Sequence, residues 1–438
     1  MTLVLYITLF IATISFFIRK EYVPFLVCYM GLMTKLFMLD SSDVVAIKGE
    51  DLCIIANFLL LPVVYKENKD IFSWKNDTIT KWIYLYMVFY VAEFIVTTAL
   101  RWETPLNGLK VIRVSFLMWA YFIFRTIPSK RFEEFIDIAL KITLFQTFLY
   151  FLQFVGIDIL AGGTLNTERT EEAGLNFAWN IPTFTIFFFY FILKSGFQRN
   201  VKVVLTLLFL SMIFLTFVRG IIISVIFGLG YFIYKQSDRS KIIPVMGGGL
   251  LVVLISMSIM DRKTDSSTED PVTEQFSEIM NDPESLVLNN GTNGTLTFRM
   301  AMLMERVYYL IENPQYLLTG VGTMHEDSPQ TASQFDFVIG TINEEREYGR
   351  CIIESGDITW VPIVLRYGLI GVALHFMLFV VIIRETHNRN DFLFALAPFY
   401  IGAIIRSFDG SFFEDPVQLS LLTLFFAMVS CAKQNVME

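Results

Sequence analysis

The chain has 438 residues, of which 54% are apolar, 44 are phenylalanine and only 17% are charged. Soluble domains carry roughly 25% charged residues, and at a mean hydropathy of +0.56 a water-soluble protein of this length could not hide its rings. The composition therefore excludes a string of soluble domains and gives an integral membrane protein. A net charge of −8 argues against nucleic acid as a partner, because gripping a phosphate backbone needs a basic face.

A membrane-crossing helix needs roughly 20 apolar residues. In chain order, about thirteen stretches fit: roughly 2–18, 23–38, 52–65, 82–100, 108–124, 135–156, 177–193, 203–218, 220–234, 242–260, 357–383, 391–407 and 416–431. Lys35 interrupts the second. The N-terminus runs straight into the first with no basic leader and no small-residue cleavage site, so it reads as a membrane helix and not as a cleaved signal. The expected fold is an all-α polytopic membrane protein of about 12–13 transmembrane helices. It divides into an N-terminal bundle over 1–260, one large loop over 261–356 and C-terminal helices over 357–438.

Lys and Arg in the connecting loops set the orientation. One alternate set carries Arg19, Lys20, Lys66, Lys69, Lys75, Lys81, Arg125, Lys130, Arg131, Lys194, Arg199, Lys202, Lys235, Arg239, Lys241, Arg384, Arg389 and Lys433. These loops are short and basic, which makes their face cytoplasmic. The other set comprises Asp40 to Asp51, Arg101 to Asn107, Asp158 to Glu172, Asp261 to Gly356 and Phe408 to Asp415. It is mostly acidic or neutral and faces outside.

Within the large loop, 261–294 is polar, acidic and rich in turn residues, and is expected to be mobile. The following TLTFRMAMLMERVYYLIEN reads as a helix over about 297–312, closed by Asn313-Pro314. Arg299 and Arg306 stand seven residues apart on it and share a face. They would either bind an anion or pair with acidic neighbours such as Glu305 and Asp327.

Charged groups in or beside membrane spans are costly and become functional candidates. Arg219, in LTFVRGIII, lies in a tight turn on the outer face. It would snorkel to headgroups or grip a phosphate with its forked guanidinium. In GRCIIESGDITWVPIVLRYGLIGV, Glu354 and Asp357 stand three residues apart at the outer mouth of a span. One is a candidate general base, and a helix cap is the competing role for Asp357. Arg366 lies deeper in that span. In IIRSFDGSFFEDP, Arg406, Asp409, Glu414 and Asp415 occupy another outer turn, either as a capped connection or as part of a site. Lys110 and Arg113 lie near a further outer helix end. Neither the four cysteines nor the three histidines have metal-ligand spacing, and there is no phosphate-binding glycine loop, HExxH or GxSxG. The candidate chemistry thus consists of arginines and a few carboxylates on the outer face, with no metal and no nucleotide. A donor that is already activated outside the cell, such as a lipid-linked diphosphate sugar, meets that condition.

Three segments carry a resemblance. LTFVRG looks like the TxSRG-type turn of the O-antigen ligase and O-antigen polymerase superfamily. FRMAMLMERVYYLIENPQYLLTGVG resembles that superfamily's loop segment of pattern R…W…i…P..G.G. SGDITWVPIVLRYGLIGV resembles the opening of the helix that follows. The three occur in family order over about 200–372, whereas the first half of the chain is similar only in being hydrophobic.

The resemblance implies a bundle of the GT-C type, set in the bacterial inner membrane with its active site on the periplasmic face. It implies an undecaprenyl-diphosphate-linked glycan as donor and as acceptor, membrane lipid and a chain-length regulator as partners, and no cofactor. It implies that Arg219 and Arg299 hold the diphosphate; Arg306, Arg366 and Arg406 are further candidates from their placement in or beside outer-face segments. Ligases of this superfamily carry a histidine eleven residues before the glycine that is Gly368 here, and this chain has Asp357 at that position, a pattern that resembles the polymerase branch. The expected function is thus joining of lipid-linked repeat units by a polysaccharide polymerase, with Asp357 or Glu354 as base. A ligase using the same donor and a transporter of lipid-linked glycans are the alternatives.

Overall fold

The computed structural model describes residues 2–34, 48–75, 77–101, 103–152, 181–215, 218–235, 295–326, 328–335, 337, 339, 353 and 358–437. The expected span over 242–260, the segment 261–294, Lys35, Glu354 and Asp357 lie outside them. Among the described residues there is no strand. Hydrocarbon offers the backbone no hydrogen-bond partners, so each apolar run closes its N–H and C=O groups on itself as a helix.

The helices, in order, are α1 (Thr2–Ile18), α2 (Tyr22–Met33), α3 (Gly49–Glu67), α4 (Thr78–Leu100), α5 (Pro105–Ile112), α6 (Ala120–Phe124), α7 (Ser129–Leu152), α8 (Thr185–Lys194), α9 (Arg199–Leu215) and α10 (Arg219–Lys235). They continue with α11 (Thr295–Glu312), α12 (Pro329–Gln334), α13 (Trp360–Thr386), α14 (Leu396–Arg406) and α15 (Pro416–Met437).

Among the described residues, five stretches are long and apolar enough to cross a membrane: Thr78–Leu100, Pro105–Phe124, Ser129–Leu152, Trp360–Thr386 and Pro416–Lys433. Shorter apolar helices among the described residues fill further expected stretches: Leu3–Ile18, Tyr22–Met33, Thr185–Lys194, Gly220–Lys235 and Phe392–Arg406. The 12 residues of α2 and the 10 of α8 rise only about 15–18 Å at 1.5 Å each, against a hydrocarbon core of about 30 Å. The outer surface nevertheless has the character of a lipid-facing one. On α4, Leu85, Val88 and Ile95 are 51%, 63% and 57% exposed. Helix α15 is the opposite case and runs through the protein core, with Leu419, Leu422, Phe425 and Phe426 fully buried.

Ion pairs sort by end. Lys20–Glu67, Arg125–Asp77 and Lys433–Glu385 join segments of the basic set of loops. Arg113–Asp51, Arg299–Asp409 and Arg366–Glu414 join segments of the other set. Among the described residues no ion pair links one set to the other, as expected if the helices alternate in direction. The basic end is pinned by Asp77, the N-cap of α4, which accepts the Ile79 N–H at 3.1 Å. Its carboxylate also accepts the hydroxyls of Thr80 and Tyr121, each at 2.6 Å, and of Ser430 at 3.1 Å. Burial works to raise its pKa. The Thr80 and Tyr121 hydrogen bonds, the Arg125 charge and the Ile79 N–H outweigh burial and hold Asp77 below the ordinary carboxylate value.

At the opposite end, α13 is broken. Gly368 sits at φ +57°, ψ −158°, a region open essentially to glycine alone. The break leaves α13 with main-chain groups it cannot pair internally, and the segment after α11 supplies partners. Val321 and Gly322 donate to the Leu365 and Arg366 carbonyls at 2.8 Å each, and Leu369 and Ile370 donate to the Leu317 and Leu318 carbonyls at 3.0 Å each. Gly320 and Gly368 meet back to back; a Cβ on Gly368 would stand 2.6 Å from the Gly320 nitrogen. The glycines of LLTGVG and RYGLIG are thus two halves of one close approach, which fastens the loop to the span.

Candidate functional site

Four elements meet at this broken end, and Asp409 is their centre. Arg406 is the last residue of α14, and its guanidinium folds back to Asp409 Oδ2 at 2.9 Å and to the Asp409 carbonyl. Arg299, from the first turns of α11, donates to Asp409 Oδ1. The first turn of α10 closes the other side: a Cβ on Gly220 would collide with the Asp409 carboxylate. That collision accounts for the glycine after Arg219. The carboxylate therefore lies against a helix N-terminus, where the backbone dipole favours negative charge. Arg219 is the first residue of α10, and its backbone stands beside this cluster.

The mouth of α13 is latched to the same turn. The Thr359 hydroxyl donates to the Gly410 carbonyl at 2.8 Å and accepts the Phe412 N–H. Trp360 Nε1 donates to Ser407 Oγ at 3.0 Å. These bonds fix the start of the span that carries Arg366 against the turn that carries Arg406 and Asp409.

Arg366 is 3% exposed, and it donates to Glu414 Oε1 at 3.1 Å and to the Met324 carbonyl at 3.3 Å. It joins the glycine loop to the start of α15. Asp415 acts as a cap and accepts the Val417 N–H at 2.9 Å. Arg306 is 1% exposed on its side chain, pairs with Glu305, donates to the Met302 carbonyl at 3.3 Å and lies 4.5 Å from the Phe337 ring centre. Glu305 also accepts the Ile339 N–H at 3.2 Å. Arg306 thus sits inside the loop's own packing, about 10 Å along α11 from Arg299 at 1.5 Å per residue. Arg113 pairs with Asp51 at 3.5 Å, and Lys110 lies on exposed α5. Of the expected site residues, then, Arg299 and Arg406 share one carboxylate beside the Arg219 turn, Arg366 joins the same end through Glu414, and Arg306 packs within the loop. Glu354 and Asp357 are outside the described residues.

Sequence reasoning passed over Arg101 as one member of an outer loop. It is the C-cap of α4, and its guanidinium lies 5.1 Å from the Tyr316 ring centre, against the glycine loop. Burial holds its pKa below the ordinary value, while Glu93, Tyr316 and Tyr309 act to raise it. Its neighbour Glu103 is 2% exposed and accepts the His325 N–H at 3.2 Å. The available signal was a polar stripe, Glu93, Thr97 and Arg101, at four-residue spacing on an otherwise apolar helix.

Among the described residues, no three His, Cys, Asp or Glu side chains gather as metal ligands. The arrangement can do two things chemically. It presents guanidinium forks and a helix N-terminus to an anion, and it holds those groups in a partly desolvated setting where their charge acts strongly. No family model matches this chain, and no curated protein matches it.

Proposed function

We propose that this chain is a polysaccharide polymerase that joins lipid-linked repeat units, with its site at the broken end of α13. The observation that carries the reading is the convergence on Asp409. Arg299 and Arg406 bind one carboxylate against the first turn of α10, although these residues come from three distant parts of the chain. A carboxylate gripped in this way occupies the position that the phosphate oxygens of a lipid diphosphate would take, since forked guanidiniums and helix N-termini bind both. The resemblance of the Arg219, Arg299 and Gly368 segments to the O-antigen polymerase superfamily adds to this reading, and a GT-C-like bundle in the bacterial inner membrane goes with it.

In the reaction, a hydroxyl of one lipid-linked repeat unit attacks the anomeric carbon of a chain held on undecaprenyl diphosphate. The new glycosidic bond forms as the bond from the anomeric carbon to the diphosphate oxygen breaks, and the lipid diphosphate leaves with the electron pair. Arg219, Arg299 and Arg406 stabilise the charge that grows on the leaving oxygen; one preplaced donor of this kind is worth about 3–4 kcal/mol. The hydroxyl proton passes to Asp357 or Glu354, a contribution of roughly a hundred- to ten-thousand-fold. Arg366, held by Glu414, positions the glycine loop over the site.

The test is polymerisation of purified lipid-linked repeat units by the purified protein, read as a ladder on a gel. Arg299→Ala and Arg219→Ala should lose the ladder, and the Lys variants should be impaired because lysine lacks the fork. Wild-type ladders from both alanine variants would overturn the site. The periplasmic placement is tested separately in intact cells with an impermeant thiol reagent: a cysteine at Ser333 should label and one at Ser129 should not.

A further inference from the structure

Four buried polar atoms at the outer-loop end of α4 have no hydrogen-bond partner among the described residues: Glu93 Oε2, Thr98 Oγ1, Arg101 Nη1 and Thr323 Oγ1. Glu93 is 6% exposed and Thr323 is fully buried. Glu93, Thr97 and Arg101 follow one another at four-residue steps and so line one face of the helix. Thr97 is the satisfied member. Its hydroxyl donates to the Glu93 carbonyl at 2.7 Å and accepts the Thr323 N–H at 2.9 Å, which fixes the glycine loop to this face. Tyr316 stands over Arg101, 5.1 Å from guanidinium to ring centre, and lies parallel to Tyr309 at 6.4 Å.

Buried polar groups in native proteins nearly always find partners, and an ionisable residue inside a membrane span is expensive to keep. Three orphans within three turns at the end of α4, and a fourth on the loop docked against it through Thr97, therefore point to a ligand, and their chemistry selects its class. Two guanidiniums share the one carboxylate at Asp409 and leave a net positive charge, whereas one carboxylate beside one guanidinium leaves no net charge here to favour a phosphate or a cation. A carboxylate acceptor, a guanidinium donor and two hydroxyls that can do either match a neutral molecule with several adjacent hydroxyls. The Tyr316 ring adds an apolar edge of the kind that packs against the C–H side of a sugar.

We infer that Glu93, Thr98, Arg101 and Thr323, bordered by Tyr316, form a subsite for a sugar ring of the acceptor glycan, distinct from the anion site at Asp409. The inference rests on the glycosyl-transfer reading above and deepens it. The two sites are joined through the glycine loop, because Gly322 N–H donates to the Arg366 carbonyl at 2.8 Å and Arg366 is bound to Glu414 at 3.1 Å. A sugar bound at α4 would thus lie beside the loop that Arg366 ties to the start of α15.

Two probes separate the sites in the full-length protein in nanodiscs. One is the free oligosaccharide released by mild acid from the lipid-linked glycan pool of the native cells, followed by saturation-transfer NMR. The other is farnesyl diphosphate, which carries the anion without a sugar. Glu93→Gln and Arg101→Gln should each weaken oligosaccharide binding at least tenfold and leave farnesyl diphosphate within twofold. Thr323→Val keeps the side-chain volume, removes only the hydroxyl, and should weaken the oligosaccharide severalfold even if the charge variants fold poorly. Arg299→Gln should show the reverse pattern. Oligosaccharide binding that is absent from the wild type, unchanged in Thr323→Val and the folded charge variants, or lost together with farnesyl diphosphate would overturn the subsite. Farnesyl diphosphate binding that survives Arg299→Gln would instead overturn the anion site and leave the oligosaccharide result to stand on its own.

Discussion

Gly368→Ala strikes the joint between loop and span. An alanine at φ +57°, ψ −158° costs about 1–3 kcal/mol in backbone strain. Its Cβ would meet the Gly320 nitrogen and the Leu318 carbonyl group at 2.6 Å. These are main-chain atoms, so no side chain can swing away to relieve the contact. Parting them forfeits the four cross-segment hydrogen bonds at about 1 kcal/mol each. The total, roughly 5–7 kcal/mol, rivals the whole stability of many domains. The expected outcome is a loop released from α13, seen as new protease cleavage within 295–339 and a lower melting temperature in detergent. Gly230→Ala is the control, since a Cβ there meets nothing within 4 Å, and it should melt with the wild type or slightly above it. A Gly368→Ala protein with wild-type melting and an intact, protected loop would refute the stapling.

Asp409→Asn removes the charge between Arg299 and Arg406 and should lower the melting temperature of the ligand-free protein; adding farnesyl diphosphate should restore part of the loss, and no change in either measurement would count against Asp409 as the stand-in for an anion. Asp77→Asn should destabilise by about 3–5 kcal/mol, the usual cost of breaking a buried charge pair, measured by denaturant or heat. Because Asp77 titrates below the ordinary carboxylate value in the folded protein, its contribution is fully present above the unfolded pKa and is lost only as pH falls through the lowered one. Melting between pH 5 and pH 8 should therefore show no dependence that Asp77→Asn abolishes. Arg306→Met should loosen the loop and expose it to protease, because Glu305 loses its buried partner. A variant that stays folded and protected but no longer binds farnesyl diphosphate would move Arg306 into the anion site.

The positions of the helices were legible because one-dimensional hydropathy is what lipid selects. The stretch expected at 357–383 is α13 at Trp360–Thr386, and the one at 220–234 is α10 at Arg219–Lys235. Length was harder to read, since an apolar run does not say where polar backbone partners end a helix. The pairing of Arg306 with Glu305 was legible because the two are adjacent. The joining of Arg299 to Asp409 was not, because 110 residues separate them and nothing in their spacing indicates it. The break at Gly368 was hidden for a related reason. A glycine in a membrane helix is unremarkable by itself, and it becomes a break only when a second segment, here Leu317 to Gly322, arrives to pair with the exposed carbonyls and amides.

That dependence explains why the candidate site lies where it does. Irregular backbone survives at membrane depth only when other protein satisfies it, so a broken span needs a docked loop. Once docked, the loop brings cations with it: Arg299 on α11 reaches Asp409, and the Met324 carbonyl holds Arg366. The positive groups therefore come from separate elements that meet only in the closed bundle. Their mutual repulsion is offset by Asp409 and Glu414, each of which also ties two elements together. In the proposed reaction, donors fixed in this way would already be aligned before the diphosphate arrives, and alignment of that kind is what gives such groups their effect on a developing charge.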